Sequence, residues 1–272
     1  MKLSKMLKRE NRKLPLISIV IPSLNKVAFI GKTLDSIFNQ NYPNLEIIIQ
    51  DGGSTDGTLE IIKKYSEKYP ETLFWVSKKD DGQLDAVTSG LNKARGEIVT
   101  FLNADDIYES GALLTVGEVY VRNPKTLWIA GRGKIINGKG KEIAKFWKFC
   151  KDILLYINSY ALLLATSNYL FQPSVFLSKT GYKNFGPFTG TKKFIFEYDL
   201  WLKLGRVFMP RVVFRNLSRF RISSNNLSSV MYKELLEHDL NVTSKYTKSW
   251  LVNVLHRLNN LARVFSVKLL KQ

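Results

Sequence analysis

The chain predicts an α/β fold: a Rossmann-like, mostly parallel sheet flanked by helices, followed by a basic helical C-terminal extension. Three observations carry that expectation. Short runs rich in Ile and Val alternate with stretches of helical spacing through about residue 110. Acidic and glycine-rich runs follow the apolar ones directly, as loops do at the carboxyl ends of parallel strands. The charge is also lopsided. Residues 1–110 hold 15 Lys+Arg and 15 Asp+Glu, whereas residues 111–272 hold 26 against 8 and supply the whole net charge of +18.

Residues 1–13 read as a basic flexible arm. Pro15 to Ile21 is a predicted strand closed by Pro22. Ala28 to Asn39 has helical spacing through Ile30, Leu34, Ile37 and Phe38, and ends at Tyr42-Pro43. Leu45 to Gln50 is a continuous apolar run, as in a strand buried on both faces. A helix over 58–68, a strand over 73–77, a helix over 83–94 and a strand over 97–102 complete the alternation. Beyond residue 111 the pattern loosens. A helix is expected over 111–121, strands over 127–130 and 133–136 with a turn at 137–140, a helix over 198–205 and a strand over 207–214. Residues 228–270 read as one or two amphipathic basic helices. The domain expectation is a catalytic domain over 14–225, divided into a nucleotide-binding half (14–110) and an acceptor-binding half (111–225), with a helical tail over 226–272.

Composition narrows the chemistry. The lone Cys150 excludes an intrachain disulfide and offers no zinc pattern, which fits a reducing, cytoplasmic setting. His238 and His256 lie on a polar, helical-looking tail and read as surface residues. No secretory signal follows the basic N-terminus. Residues 153–172 lack charge, but Asn158, Ser159, Thr166, Ser167, Asn168 and Gln172 interrupt them, so a buried or interfacial segment is expected rather than a membrane span. The basic half points to an anionic partner: nucleotide phosphates or an anionic membrane surface. No nucleic-acid motif accompanies the charge, so no nucleic-acid partner is expected.

Four acidic runs carry the candidate chemistry. Asp51-Gly52-Gly53-Ser54-Thr55-Asp56-Gly57-Thr58 joins a strand to a helix, and the Asp51 carboxylate at the strand end can accept hydrogen bonds from a base or ribose. Asp56 or Thr58 also reads as a helix cap. Asp80-Asp81-Gly82-Gln83, with Asp85, opens the next helix and holds more acid than a cap needs. Asn103-Ala104-Asp105-Asp106 follows a buried strand. Adjacent carboxylates there are costly unless they hold a cation or bind a ligand, and Mg²⁺ or Mn²⁺ bridging Asp and diphosphate oxygens meets that need. In Phe196-Glu197-Tyr198-Asp199 the two acids start a helix and do not share a face, so one can enter a site as general base while the other caps or pairs.

Together with Ser18-Ile19-Val20-Ile21-Pro22-Ser23-Leu24-Asn25 and Gln172-Pro173-Ser174-Val175-Phe176, these runs resemble, in order, the family 2 glycosyltransferases of GT-A fold over about residues 15–222. The resemblance implies inverting transfer of a sugar from a nucleoside diphosphate sugar, by default a UDP-sugar, to an acceptor hydroxyl. It implies Pro22, Ser23 and Asn25 beside the nucleotide, Asp51 on the base, and Gly53, Asp81, Gln83, Asp85 and Asn103 in the same site. Asp105 would contact the ribose or donor sugar and Asp106 would ligate Mn²⁺ or Mg²⁺. Gln172 and Pro173 would lie in the donor-sugar or acceptor region, and Glu197 matches the catalytic base.

Two departures stand out. The base position is more often Asp, which keeps Asp199 open as the alternative to Glu197. Relatives often carry His where this chain has Ser223, so Arg219 or Arg221 would have to serve the diphosphate or metal. The expected role is synthesis of a surface or cell-envelope glycan on a glycan or lipid-linked acceptor, in the cytoplasm or peripherally on the inner face of the membrane. The alternative is a non-catalytic sugar-nucleotide or polyanion binder of the same fold.

Overall fold

β1 (Ile17–Ser23) is buried along its whole length, and its alternate residues serve opposite faces of the sheet. Ile17, Ile19 and Ile21 join one apolar cluster, whereas Val20 joins the other. The computed structural model describes residues 13–166, 168–189, 196–222 and 232–270. The expected arm over 1–13 therefore lies, apart from Lys13, outside the described residues, as does Ser223.

The first half alternates as the sequence predicts: α1 (Ile30–Phe38), β2 (Leu45–Asp51), α2 (Thr58–Lys68), β3 (Leu73–Ser77), α3 (Gln83–Lys93) and β4 (Ile98–Phe101). β1 pairs in parallel with β2 and β4, and β2 with β3. The pairing aligns Ser23 with Asp51 and Asp51 with Ser77, so the loops after these strands open on one edge. Pro22 is a correction: it lies inside β1 rather than closing it.

The second half continues the same sheet through β5 (Ile107–Tyr108), α4 (Ala112–Arg122), β6 (Trp128–Asn137), β7 (Glu142–Ile143), α5 (Lys145–Ile157), α6 (Tyr160–Ala165), a 3₁₀ turn (Gln172–Ser174), β8 (Val175–Ser178), α7 (Lys179–Phe185), α8 (Glu197–Val207) and β9 (Arg211–Ile222). The strand order is β3-β2-β1-β4-β8-β6-β9-β5, with β7 on β6. β8 runs antiparallel to both β4 and β6, and β6 and β9 are parallel.

Two strand expectations change. The two strands expected over 127–130 and 133–136 are one, β6 over 128–137, which absorbs its irregularity as register shifts around Arg132 against β9. A side chain at Gly131 would overlap Leu217 and one at Gly133 would overlap Phe171, so the close approach excludes anything larger. The expected strand over 207–214 begins later, at Arg211, because α8 runs on through Val207.

The apolar segment 153–172 is not one helix. Asn158 adopts a left-handed conformation (φ 49°) and ends α5, and α6 then turns inward to bury Leu163, Leu164 and Ala165. Among the described residues no helix is long and apolar enough to cross a membrane. The chain closes with α9 (Tyr232–Ser244) and α10 (Trp250–Leu270), which pack against each other and against α8 and α6 respectively. His256 corrects the surface reading: it is fully buried, with its Nδ1 2.8 Å from the Leu164 carbonyl oxygen.

Candidate active site

The Asp51 loop is built from its own residues. Gly53 (φ 91°) and Gly57 (φ 93°) take left-handed conformations that a side chain would strain. The Asp51 carboxylate accepts from the Gly53 and Ser54 amides at 3.0 and 2.8 Å, from Ser54 Oγ, and from Ser77 Oγ at 2.8 Å. Burial alone would raise its pKa, but these hydrogen bonds together outweigh burial and hold it below the usual carboxylate range. Asp51 therefore orders the loop as an ionised group. Asp56 accepts from the Thr58 amide and hydroxyl and from the Val27 amide. Asn25 Oδ1 accepts from the Thr55 amide at 2.9 Å, which laces the loop after β1 to the loop after β2.

A small hollow of about 10 Å³ lies beside Asp51, lined by Gln50, Lys78, Asp80, Asp85 and Ser89. Asp80 stands against Gly52, where an added Cβ would lie 3.1 Å from its carboxylate, and Asp80 Oδ1 accepts from the Gly82 amide. Asp81 and Asp85 are exposed at the start of α3, with the Asp81 amide directed at Asp85. Gln83 Nε2 donates to Asn103 Oδ1 at 2.6 Å, joining α3 to the loop after β4. Ser23 Oγ is buried with no hydrogen-bond partner among the described residues, an orphaned polar atom at the end of β1.

The Asn103–Asp106 turn sits at the centre of this edge. Thr33 Oγ1 on α1 donates to the backbone oxygens of Ala104 (3.0 Å) and Asp106 (2.8 Å), which clamps the turn. Asp106 is fully buried. Its carboxylate accepts from the Arg221 amide at 2.8 Å and from Asn103 Nδ2 at 3.2 Å. Burial and the neighbouring Asp105 nevertheless push its pKa well above the usual value. Asp105 is 5% exposed, and Lys26 Nζ donates to its Oδ2 at 2.7 Å.

Among the described residues there is no cluster of three His, Cys, Asp or Glu able to hold a metal. The donor set is two hard carboxylates, one of them driven toward protonation unless a cation offsets its charge. That fits Mg²⁺ or Mn²⁺ held by one or two carboxylates with substrate phosphates and water completing the shell.

Across β4, Gln172 Nε2 donates to the Phe101 carbonyl at 2.8 Å, and Pro173 is buried in the turn that follows. Phe101 stacks on Phe196 at 5.5 Å between ring centroids, which brings the start of α8 to the carboxyl end of β4. The two acids there divide sharply. Asp199 accepts from Thr189 Oγ1 (2.7 Å) and Tyr246 Oη (2.7 Å) and pairs with Lys203 (2.8 Å). Burial raises its pKa, but Lys203, Tyr246 and Thr189 outweigh burial and lower it. Glu197 is half-buried, and burial of its carboxyl pushes the pKa up to about 7, opposed by the hydrogen bond from its own amide and by Lys151, with Asp239 adding to the rise.

Both arginines of β9 have protein partners. Arg219 forms a two-pronged pair with Glu109, at 2.9 and 3.0 Å. Arg221 is 1% exposed and donates to the backbone oxygens of Asp105, Asn137 and Gly138. Arg221 thus braces β9 against the Asn103–Asp106 turn, and Arg219 braces it against Glu109 beyond that turn. Sequence reasoning missed Lys26, Glu109 and Tyr246. Nothing local marks them, because each acts on a residue between 47 and 110 positions away.

Acidic loops gathered at the carboxyl ends of β2, β3 and β4 define an α/β protein with its candidate site on that edge of the sheet. Residues 18–173 match the profile of glycosyl transferase family 2, and the chain belongs to that family. An uncharacterised glycosyltransferase of Nostoc sp. is 30% identical over 127 residues, covering 47% of this chain and 39% of that protein. A PGL/p-HBAD biosynthesis glycosyltransferase of Mycobacterium bovis is 40% identical over 103 residues, 38% of this chain and 40% of that protein. The alignments thus span about two fifths of these relatives' length.

Among solved structures, the mannosyltransferase PcManGT from Pyrobaculum calidifontis, in complex with GDP-Man and Mn²⁺, has a TM-score of 0.67 at 16% identity over 98% of this chain and 82% of that one. TarS 1–349 of S. aureus, in complex with UDP-GlcNAc, has a TM-score of 0.60 at 17% identity over 90% and 70%. At such identity these neighbours establish the GT-A-like fold alone.

Proposed function

We propose that the protein transfers a sugar from a nucleoside diphosphate sugar to an acceptor hydroxyl with inversion at the anomeric carbon, and that Glu197 is the general base. The observation carrying this reading is the division between Glu197 and Asp199. Asp199 is consumed by three protein partners and held ionised, whereas Glu197 has a pKa of about 7, suited to taking a proton near neutral pH.

In this reading the nucleotide lies along the loops after β1, β2 and β3. Ser23 Oγ has unused capacity there, and Asp51, Asp80 and Asp85 line the hollow. Asp105 and Asp106 would hold Mn²⁺ or Mg²⁺, which supplies charge neutralisation at the departing diphosphate. Gln172, bonded to the Phe101 carbonyl, and Glu197, next to the Phe196 ring that stacks on Phe101, would flank donor sugar and acceptor. Glu197 takes the acceptor proton as the hydroxyl oxygen attacks the anomeric carbon, and the nucleoside diphosphate departs from the opposite face.

UDP-sugars are the favoured donors, supported by the resemblance and by the UDP-GlcNAc bound to TarS; the GDP-Man bound to PcManGT makes GDP-sugars the second choice. A glycan or lipid-linked acceptor of the cell envelope, met at the inner face of the membrane, is supported by the basic C-terminal half. The test is a nucleotide-sugar panel with Mn²⁺ or Mg²⁺, reading released nucleoside diphosphate with and without chelator. Chelator-sensitive release from one donor supports the reading. Failure of every nucleotide sugar to bind would overturn it.

A further inference from the structure

α10 is amphipathic with its polar side turned inward. His256 and Asn260 are buried, His256 approaches the Leu164 carbonyl, and Asn259 Nδ2 donates to the Thr166 carbonyl. These contacts, on the end of α6 and the residue after it, hold the helix to the domain. The outward side carries Trp250, Leu251, Val254, Leu255, Leu258 and Leu261, each between 42% and 74% exposed. Their spacing of one, three and four residues forms a single stripe. A contiguous apolar stripe facing water is unfavourable and calls for an occupant.

Charge decides which occupant. Residues 245–272 contain Lys245, Lys248, Arg257, Arg263, Lys268 and Lys271 and no acidic residue. Lys245 and Lys248, in the turn leading into α10, and Arg257, on the helix itself, are exposed. Pairing the stripe with a second copy would bring two acid-free basic segments together in a chain of net charge +18. An anionic bilayer satisfies both features at once, with the apolar side chains entering the headgroup–acyl boundary and the cations on lipid phosphates.

We infer that α10 is an interfacial helix that docks the protein on an anionic lipid surface through Trp250, Leu251, Val254, Leu255, Leu258 and Leu261. This deepens the proposed action on a lipid-linked acceptor by naming the docking surface. Vesicle binding is read without turnover, so failure of the docking and failure of the glycosyl-transfer reading are distinguishable.

The experiment is flotation of the full chain with phosphatidylcholine vesicles and with phosphatidylcholine–phosphatidylglycerol vesicles, at low and high salt. The wild type is expected to float with the anionic vesicles, less so at high salt. Leu251→Glu/Leu258→Glu should weaken that binding by at least about tenfold. Lys248→Glu/Arg257→Glu should remove the preference for phosphatidylglycerol. Both pairs face solvent, so their melting temperatures should match the wild type. Brominated lipid should quench fluorescence in the wild type more than in Trp250→Phe. Absence of flotation overturns the inference, as does equal flotation of the leucine variant. A lipid-free dimer in sedimentation that Leu251→Glu/Leu258→Glu dissolves would assign the stripe to a second copy instead.

Discussion

Lys26 Nζ lies 2.7 Å from Asp105 Oδ2, a cation already seated on the carboxylate pair at the end of β4. The lysine comes from the loop after β1, which hydrogen bonds from Lys26 and Val27 amides tie to Thr58 and Asp56. Two loops thus meet on one charge. The ammonium pairs with Asp105, the same carboxylate that, with burial, raises the pKa of the buried Asp106.

Removing that ammonium should therefore cost stability in a way a metal restores. Lys26→Met is expected to destabilise the fold by about 1 kcal/mol, a modest value because the lysine is partly exposed. Added Mn²⁺ should raise the melting temperature of Lys26→Met more than that of the wild type. Thermal melts with and without Mn²⁺ check this, and equal shifts in both proteins would remove the role assigned to Lys26.

Asp106→Asn keeps the shape of a side chain bonded to Arg221 and Asn103 while removing the charge that burial and Asp105 oppose. The variant should fold at least as well as the wild type, yet lose turnover by about 10²-fold or more, because a neutral amide is a poor ligand for a hard cation. Melting temperature and donor turnover measured side by side separate the two effects.

Glu197 makes a pH prediction whose sign follows from its raised pKa. Its ionised form, the base, accumulates above about 7, so the rate should climb with pH through an apparent pKa near 7. Glu197→Gln should lower turnover by about 10²- to 10⁴-fold and leave donor binding intact. The carboxyl contributes full stability below 4.5 and loses it as pH rises through about 7, so the same variant should be more stable than wild type above pH 7, by about 2 kcal/mol, and equal to it in acid. A pH series of melts on both proteins decides the point.

Asp199 should behave in the opposite way. Asp199→Asn loses the Lys203 pair and weakens its bonds to Thr189 and Tyr246, so it should destabilise the fold by about 1–3 kcal/mol. The folded-state pKa is lowered, so that contribution is present above the ordinary carboxylate pKa and fades in acid. Turnover per folded molecule should fall less than in Glu197→Gln. The reverse order of turnover losses would make Asp199 the base.

Glycines, Ile-rich strands and acidic loops made the first half legible, because in a parallel α/β unit each strand, turn and helix is encoded within a few residues of itself. The boundaries of α2 and β3 follow from local spacing alone, and the register of β1 and β2 places Ser23 and Asp51 together. The second half was less legible. The single bulged strand over 128–137 depends on how β6 lies against β9, and β9 is far away in sequence.

By itself the sequence determined the fold family and the positions of its carboxylates, since motif order and strand ends are local facts. It favoured Glu197 as the base with Asp199 as the alternative, offered Arg219 and Arg221 to the diphosphate or metal, and placed His256 on the surface. Tertiary structure buried His256 and supplied the partners of the others, because those partners come from distant segments: Tyr246 on Asp199, Glu109 on Arg219, the Asp105 carbonyl on Arg221, and the Leu164 carbonyl on His256. Burial and hydrogen bonding set the charge of a carboxylate, and neither can be read until the chain has closed around it.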